Sequence, residues 1–203
     1  PICNNTSYQG EIFLLSNYKS THEIAIPIQK LYTNSNHERS IVKVDLANGI
    51  LQIISHEQLT AEKHKYVKEK MNFDNYLNMP AIKTDLKIID KGKTRTLNGN
   101  FNLDLGNGSL LYLCKQNKSV QEFLKANADI KLRYGFNKKR EIIAKVIVPK
   151  KCILCNLKFK NGIIGITNAL PLFTTEGLTG IKFFEKTIAI FDFSKSDFYI
   201  KKK

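Results

Sequence analysis

The chain has 203 residues, of which 42% are hydrophobic, and its 32 Lys and Arg against 18 Asp and Glu give a formal net charge of +14. That apolar content excludes a mainly disordered protein, because burial can offset the entropy lost on ordering. The length suffices for a core without disulfides or metals, and no run approaches the roughly 20 apolar residues that span a bilayer, so no transmembrane segment is predicted.

Short apolar runs separated by turn residues predict a chain built mainly of strands. Four Asn-Gly pairs lie between such runs, at 48–49, 98–99, 107–108 and 161–162, and Asn-Gly accepts the positive φ of tight hairpin turns. In chain order the predicted strands are 11–15, 23–28, 41–46, 50–54, 82–89, 95–105, 110–114, 130–136, 141–148, 152–159, 163–167, 181–184 and 187–193.

Two segments carry helix signals. Ser55 opens a capping box, in which side chains satisfy the free amides of the first turn, and apolar residues at helical spacing extend this helix to about residue 76. Pro80 prevents continuation far beyond that point. A second capping box begins at Ser119. The sequence therefore predicts two principal helices, about 55–76 and 119–127.

These elements predict an α+β fold with mainly antiparallel, hairpin-rich β-sheet. No repeat, low-complexity tract or Gly/Ser/Pro linker divides the chain. The sequence therefore predicts a single domain over residues 1–203, with a weak boundary near 78–81.

Positive charge is concentrated in residues 131–160, which contain ten Lys and Arg and a single acid, Glu141, so that this stretch carries +9 of the +14. A concentrated positive field attracts polyanions, most often nucleic acid. The predicted nucleic-acid-binding residues are Lys131, Arg133, Lys138, Lys139, Arg140, Lys145, Lys150, Lys151, Lys158 and Lys160.

Strand alternation sorts these residues by face. On 130–136 it places Lys131 and Arg133 on one face and Tyr134 on the buried one, unless Gly135 introduces a bulge. If 130–136, 141–148 and 152–159 are neighbours in one sheet, their basic residues form a stripe that can follow a phosphate backbone. A lysine-rich solvated sheet face is the structural alternative.

Two other functions would also account for the positive charge of residues 131–160. A nuclease or toxin-like enzyme would use it to capture nucleic acid, with His56 and His64 as candidate acid and base or Asp85 and Lys87 as part of a metal-dependent site. A protein-binding module of the inhibitor or immunity type would use it to meet an acidic partner. Whether the protein is an enzyme stays open at this point.

The four cysteines are too few and too unevenly spaced for a disulfide scaffold, which favours a reducing compartment and predicts a cytoplasmic protein. Cys152 and Cys155 have the spacing of half a zinc site, but no second pair completes it, and buried inert thiols explain them better. No phosphate-cradling glycine loop or dinucleotide fingerprint is present. The sequence therefore predicts no cofactor and no metal.

Overall fold

The computed structural model describes residues 13–14, 24–25, 40–73, 79–105, 108–136, 142–168 and 175–203. The strands in these ranges are β1 (Phe13–Leu14), β2 (Ile24–Ala25), β3 (Ile41–Asp45), β4 (Ile50–Ile54), β5 (Val67–Phe73), β6 (Pro80–Asp90), β7 (Lys93–Leu103), β8 (Leu111–Cys114), β9 (Leu132–Phe136), β10 (Ile142–Ile147), β11 (Lys151–Leu154), β12 (Leu157–Lys160), β13 (Ile164–Thr167), β14 (Gly177–Thr179), β15 (Thr187–Asp192) and β16 (Asp197–Lys202). The helices are α1 (His56–Glu62), α2 (Lys118–Ala126) and α3 (Ile181–Phe184).

Fourteen of these strands form one sheet, and β1 and β2 form a separate pair. The main path runs β4-β3-β15-β16-β5-β6-β7-β14-β8-β13-β10-β9, and β11 and β12 join it through β6. β7 pairs in parallel with β14, and β8 in parallel with β13. The predicted antiparallel, hairpin-rich fold with two principal helices was therefore wrong: the described residues form a large mixed sheet with few, short helices. Parallel strands are joined by long connections, which local turn signals do not reveal.

The first predicted helix, 55–76, was wrong beyond its first turns. Its start is correct: Ser55 Oγ accepts a hydrogen bond from Gln58 N at 3.2 Å, and Ser55 N donates to Gln58 Oε1 at 2.8 Å. The α-helix ends at Glu62, and β5 follows a short 3-10 helix. The side chains of β5 alternate in exposure, and the strand pairs with both β16 and β6. These distant partners outweigh weak helical spacing, since strand preference depends on context.

The other helical segments also differ from the prediction. The helix predicted at 119–127 matches α2 to within one residue, but its N-cap is Asn117, whose side chain accepts from Ser119 N at 2.9 Å. Ile181–Phe184, predicted as a strand, is α3, and its two phenylalanines are both buried instead of alternating in exposure. A short apolar run does not distinguish helix from strand by periodicity alone.

The Asn98-Gly99 pair lies inside β7 and makes no turn, contrary to the prediction. The hairpin between β6 and β7 turns instead at Lys91 and Gly92, which have φ of 49° and 77°. Gly99 is required for another reason: a Cβ at this position would lie 2.4 Å from Cγ of Glu176. The carboxylate of Glu176 accepts a hydrogen bond from Asn100 N at 2.6 Å, so this side chain crosses the strand where the glycine leaves space.

The short strand β14 fills the centre of the sheet. β7 and β8 are consecutive in sequence but do not pair, because β14 lies between them, parallel to β7 and antiparallel to β8. All three of its residues are buried. A Cβ on Gly177 would lie 2.3 Å from the carbonyl oxygen of Tyr112, so the close approach of these strands requires glycine.

A cluster of buried phenylalanines holds β12, α3, β15 and β16 together. The rings of Phe159 and Phe183 have centroids 5.4 Å apart, and the contacts continue through Phe184 and Phe191 to Phe198. Each of these side chains is at most 2% exposed. The cluster fixes the inner face of β12 and so determines which of its residues face outward.

Candidate functional site

The predicted basic residues lie in two places. β9 and β10 pair with each other, whereas β11 and β12 form a hairpin that pairs with β6. In the sheet order, β7, β14, β8 and β13 lie between β6 and β10, so the three predicted strands are not neighbours and form no continuous stripe. Lys131, Arg133 and Lys145 lie at β9 and β10, whereas Lys150, Lys151, Lys158 and Lys160 lie at β11 and β12. Lys138, Lys139 and Arg140 lie outside the described residues.

The second place includes two lysines of β6 and forms one surface. Directly opposed residues of antiparallel strands have side chains on the same side of the sheet. The register opposes Lys151 to Lys160, Ile153 to Lys158, and Ile153 to Lys87 on the other neighbour. Alternation along β6 adds Lys83. We call the surface formed by Lys83, Lys87, Lys151, Lys158 and Lys160 the lysine face.

A tight hairpin turn places the outer lysines. Cys155 and Asn156 have φ of 51° and 59°, values found in the turn type that joins two strands through two residues. The single strand predicted for 152–159 was therefore wrong, because the chain reverses at its centre. Cys152 opposes Phe159, and both are 2% exposed. Their neighbours in sequence consequently lie on the outer side.

The lysine face carries little negative charge. Asp85 is the acid that alternation along β6 places on it, and its carboxylate lies 4.0 Å from Lys87 Nζ and accepts from Asn98 Nδ2 at 2.8 Å. Among the described residues, this pair is the only ion pair formed by the five lysines. Lys83, Lys158 and Lys160 are exposed. The named residues of this surface therefore sum to a charge of +4, from five lysines and one aspartate.

The β9 edge differs from its prediction. Tyr134 was expected on the buried side but is 57% exposed, and Leu132 on the same side of the strand is 45% exposed. β9 is the last strand of the sheet order, so it has a neighbouring strand on one side only. Lys145 directly opposes Tyr134. The pairing of β10 with β9 then shifts register between Ile142 and Ala144, which oppose residue 136 and Gly135.

A cavity of about 810 Å³ opens beside this edge, between β8, β9, β10, β13 and α3. Arg133, Lys182 and Lys186 contribute positive charge to its lining, and no carboxylate is among the described residues that line it. Sequence reasoning missed both lysines, because α3 was taken for a strand. Their spacing of four residues, typical of one side of a helical turn, could have indicated a shared face.

The candidate catalytic histidines lie on two separate elements. His56 is the first residue of α1, and His64 lies in the 3-10 helix after α1 has ended, so the helical face that was to join them is interrupted. Both side chains are exposed.

Asp85 and Lys87 lie on the lysine face as a half-exposed pair. Metal-dependent hydrolysis needs a second acid beside them. The sequence offers Asp74, Asp90 and Asp104 as that second acid. Asp74 lies outside the described residues, Asp90 is five residues from Asp85 along β6 and therefore on the opposite side of the strand, and Asp104 follows the end of β7. No cluster of three His, Cys, Asp or Glu side chains suited to a metal occurs in the part of the chain that the structure describes.

The cysteines in the described part of the chain are all buried: Cys114 and Cys152 lie in strands, and Cys155 lies in the turn between β11 and β12. Burial raises the pKa of Cys114 and of Cys152 to about 11, and it raises the pKa of Cys155 further. These side chains therefore stay protonated near neutral pH, and the reactive form of cysteine is the thiolate.

In the described ranges, no helix has the length and apolar character needed to cross a bilayer.

Comparisons with known proteins assign neither a family nor a function to this chain. No known protein family matches the sequence, and no curated protein matches it. The crystal structure of Basic 7S globulin from soybean is similar over 79% of this chain, with 11% sequence identity and a TM-score of 0.47. The similar region covers 50% of the soybean protein, so this chain spans about half the length of that protein. At this identity and TM-score, the likeness establishes neither a shared fold nor a shared function.

Proposed function

We propose that the protein binds nucleic acid through the lysine face. One observation carries the proposal: five lysines from β6, β11 and β12 project from the same side of adjacent strands, with Asp85 as the acid among them. Contacts to phosphates need positive charge at suitable spacing and no special motif. The proposal keeps Lys151, Lys158 and Lys160 from the residues first predicted to bind. It leaves out Lys131, Arg133 and Lys145 at β9 and β10, so it does not include the continuous stripe predicted across all three strands.

The spacing of the lysine face suits a repeating anion. Neighbouring strands lie about 5 Å apart and alternate residues of one strand about 7 Å apart, so the five side chains form a two-dimensional array. Lysine side chains are long and flexible and act as mobile point charges. The array can therefore adjust to the phosphates of a passing backbone.

The adjacent row of β7 supplies neutral donors. Thr96 opposes Lys87, and Asn98 opposes Asp85, so both project on the same side as the lysines. Hydroxyl and amide groups commonly accompany lysine in contacts to phosphate and sugar. No aromatic side chain lies among the described residues of this surface, and base stacking needs one. We therefore expect binding that depends weakly on base sequence.

A mobility-shift titration of single-stranded and duplex oligonucleotides tests the proposal. Reversing three lysines, in a Lys151→Glu/Lys158→Glu/Lys160→Glu variant, should abolish the shift, because three favourable contacts become repulsive. The matched control reverses three exposed lysines elsewhere, in a Lys63→Glu/Lys65→Glu/Lys125→Glu variant. Each triple reversal lowers the formal net charge by six, from +14 to +8.

The control separates a specific surface from overall charge. If the lysine face binds, the control retains most of the affinity of the wild-type protein. Equal losses in the two variants would show that only net charge matters, and retention by both would remove the lysine face from binding. The titration uses purified oligonucleotide as the ligand, because binding to an acidic protein would depend on salt in the same way and could not be distinguished by salt dependence alone.

A further inference from the structure

We infer that the cavity beside β9 binds a small organic anion whose charged group is attached to a flat apolar ring. This cavity shares no residue with the lysine face, so either proposal can fail while the other holds. Its volume of about 810 Å³ falls within the range of about 300–1,000 Å³ that is usual for small-molecule sites.

The floor of the cavity is apolar and flat. Val146 on β10, Gly165 on β13 and Tyr112 on β8 are paired across three adjacent strands and therefore lie on one side of the sheet. A Cβ on Gly165 would lie 2.2 Å from the ring of Tyr112. The tyrosine ring thus lies directly over the glycine backbone, and it provides an aromatic surface on which a second ring can stack.

The rim of the cavity is positively charged. Arg133 projects from β9 on the same side as Val146, because the two residues are directly opposed. Lys182 and Lys186 border the cavity from α3 and the turn after it, and both are exposed. Among the described residues, none of the three forms an ion pair within the protein, in contrast to Arg95, which lies 2.6 Å from Asp129.

Charge complementarity selects the ligand class. An arginine fork binds a carboxylate, sulfonate or phosphate through paired hydrogen bonds, and two lysines add further donors. A neutral apolar molecule would leave these cations unused, whereas an inorganic anion would leave the floor uncovered. A ring that bears an anionic group satisfies both parts of the cavity.

Fluorescence titration with anilinonaphthalene sulfonate tests this inference, with phenylnaphthylamine as the matched probe that has the same rings but no sulfonate. In an Arg133→Gln/Lys182→Gln/Lys186→Gln variant, the Kd for the sulfonate should rise about tenfold or more, as expected for the loss of a hydrogen bond to a charged group. The Kd for phenylnaphthylamine should stay unchanged. The control variant is Lys63→Gln/Lys65→Gln/Lys125→Gln, which should bind both probes as the wild-type protein does.

Two results would overturn the inference: equal sulfonate affinity in the two triple variants, or an equal loss for both probes. A second measurement needs no variant and decides the question even where a variant does not fold. Naphthyl phosphate should displace anilinonaphthalene sulfonate from wild-type protein, and naphthol should not. In an isotope-labelled sample, naphthyl phosphate should shift the backbone amide signals most strongly around Tyr112 and Gly165. Shifts centred elsewhere would contradict the proposed site.

Discussion

The number of lysines that contact nucleic acid can be counted from salt dependence. Each phosphate that a cation neutralises releases counterions, so log K falls with log salt concentration with a slope of about −0.7 per contact for single strands and about −0.9 for duplex. Five contacts on the lysine face give a slope of about −3.5 for single strands, and about −4.5 for duplex.

Neutralising three of these lysines, in a Lys151→Gln/Lys158→Gln/Lys160→Gln variant, should reduce the slope by about 2.1 for single strands or about 2.7 for duplex. Fluorescence anisotropy over about 50 to 200 mM salt measures the slope directly. The Lys63→Gln/Lys65→Gln/Lys125→Gln protein should keep the wild-type slope. A slope that does not change in the first variant, or that changes equally in both, would refute the assignment of these contacts.

Three further predictions concern stability, each measured by urea or thermal unfolding. Asp197 is buried. Burial alone would raise its pKa, but hydrogen bonds from two lysines of β5 hold that pKa below its usual value of 3.8. Asp197→Asn should lower the free energy of unfolding by about 1–3 kcal/mol at neutral pH. Because the folded pKa is lowered, this cost should be complete above pH 3.8 and should vanish as the pH falls through the folded value; a constant difference down to acid pH would contradict the assignment. Gly99→Ala should destabilise by about 1–3 kcal/mol, because the new methyl group displaces Glu176, whereas Gly108→Ala, with open space at its Cβ, should be nearly neutral. Ser55→Ala should cost about 1 kcal/mol through loss of the N-cap of α1, and no change would show that this cap is dispensable.

Local signals in the sequence were sufficient for some elements. The capping box at Ser55 gave the start of α1 correctly, and the bounds of β4 agree with the prediction. The end of that helix could not be found, because Val67–Phe73 becomes a strand through pairing with β6 and β16. Such pairings depend on residues far away in sequence, and no local pattern specifies them.

The candidate site shows the same limit. Alternation placed Lys158 and Lys160 on one side of their strand, and the register agrees. The partner strand of the hairpin could not be predicted, because β11 pairs with β6 across a long stretch of sequence. Lys83 and Lys87 were therefore not recognised as neighbours of the basic hairpin, and Tyr134 was assigned to the core because nothing local marks β9 as a sheet edge.

The position of β14 has a consequence for how the chain acquires its structure. The two strands on either side of it, β7 and β8, precede β14 in the sequence, and in the folded sheet they hydrogen-bond to β14 instead of to each other. Contacts that join sequence-distant segments make folding slow. We expect the middle of the sheet to be completed only once residues 177–179 are inserted, and until then the facing edges of β7 and β8 offer unpaired backbone groups to other chains.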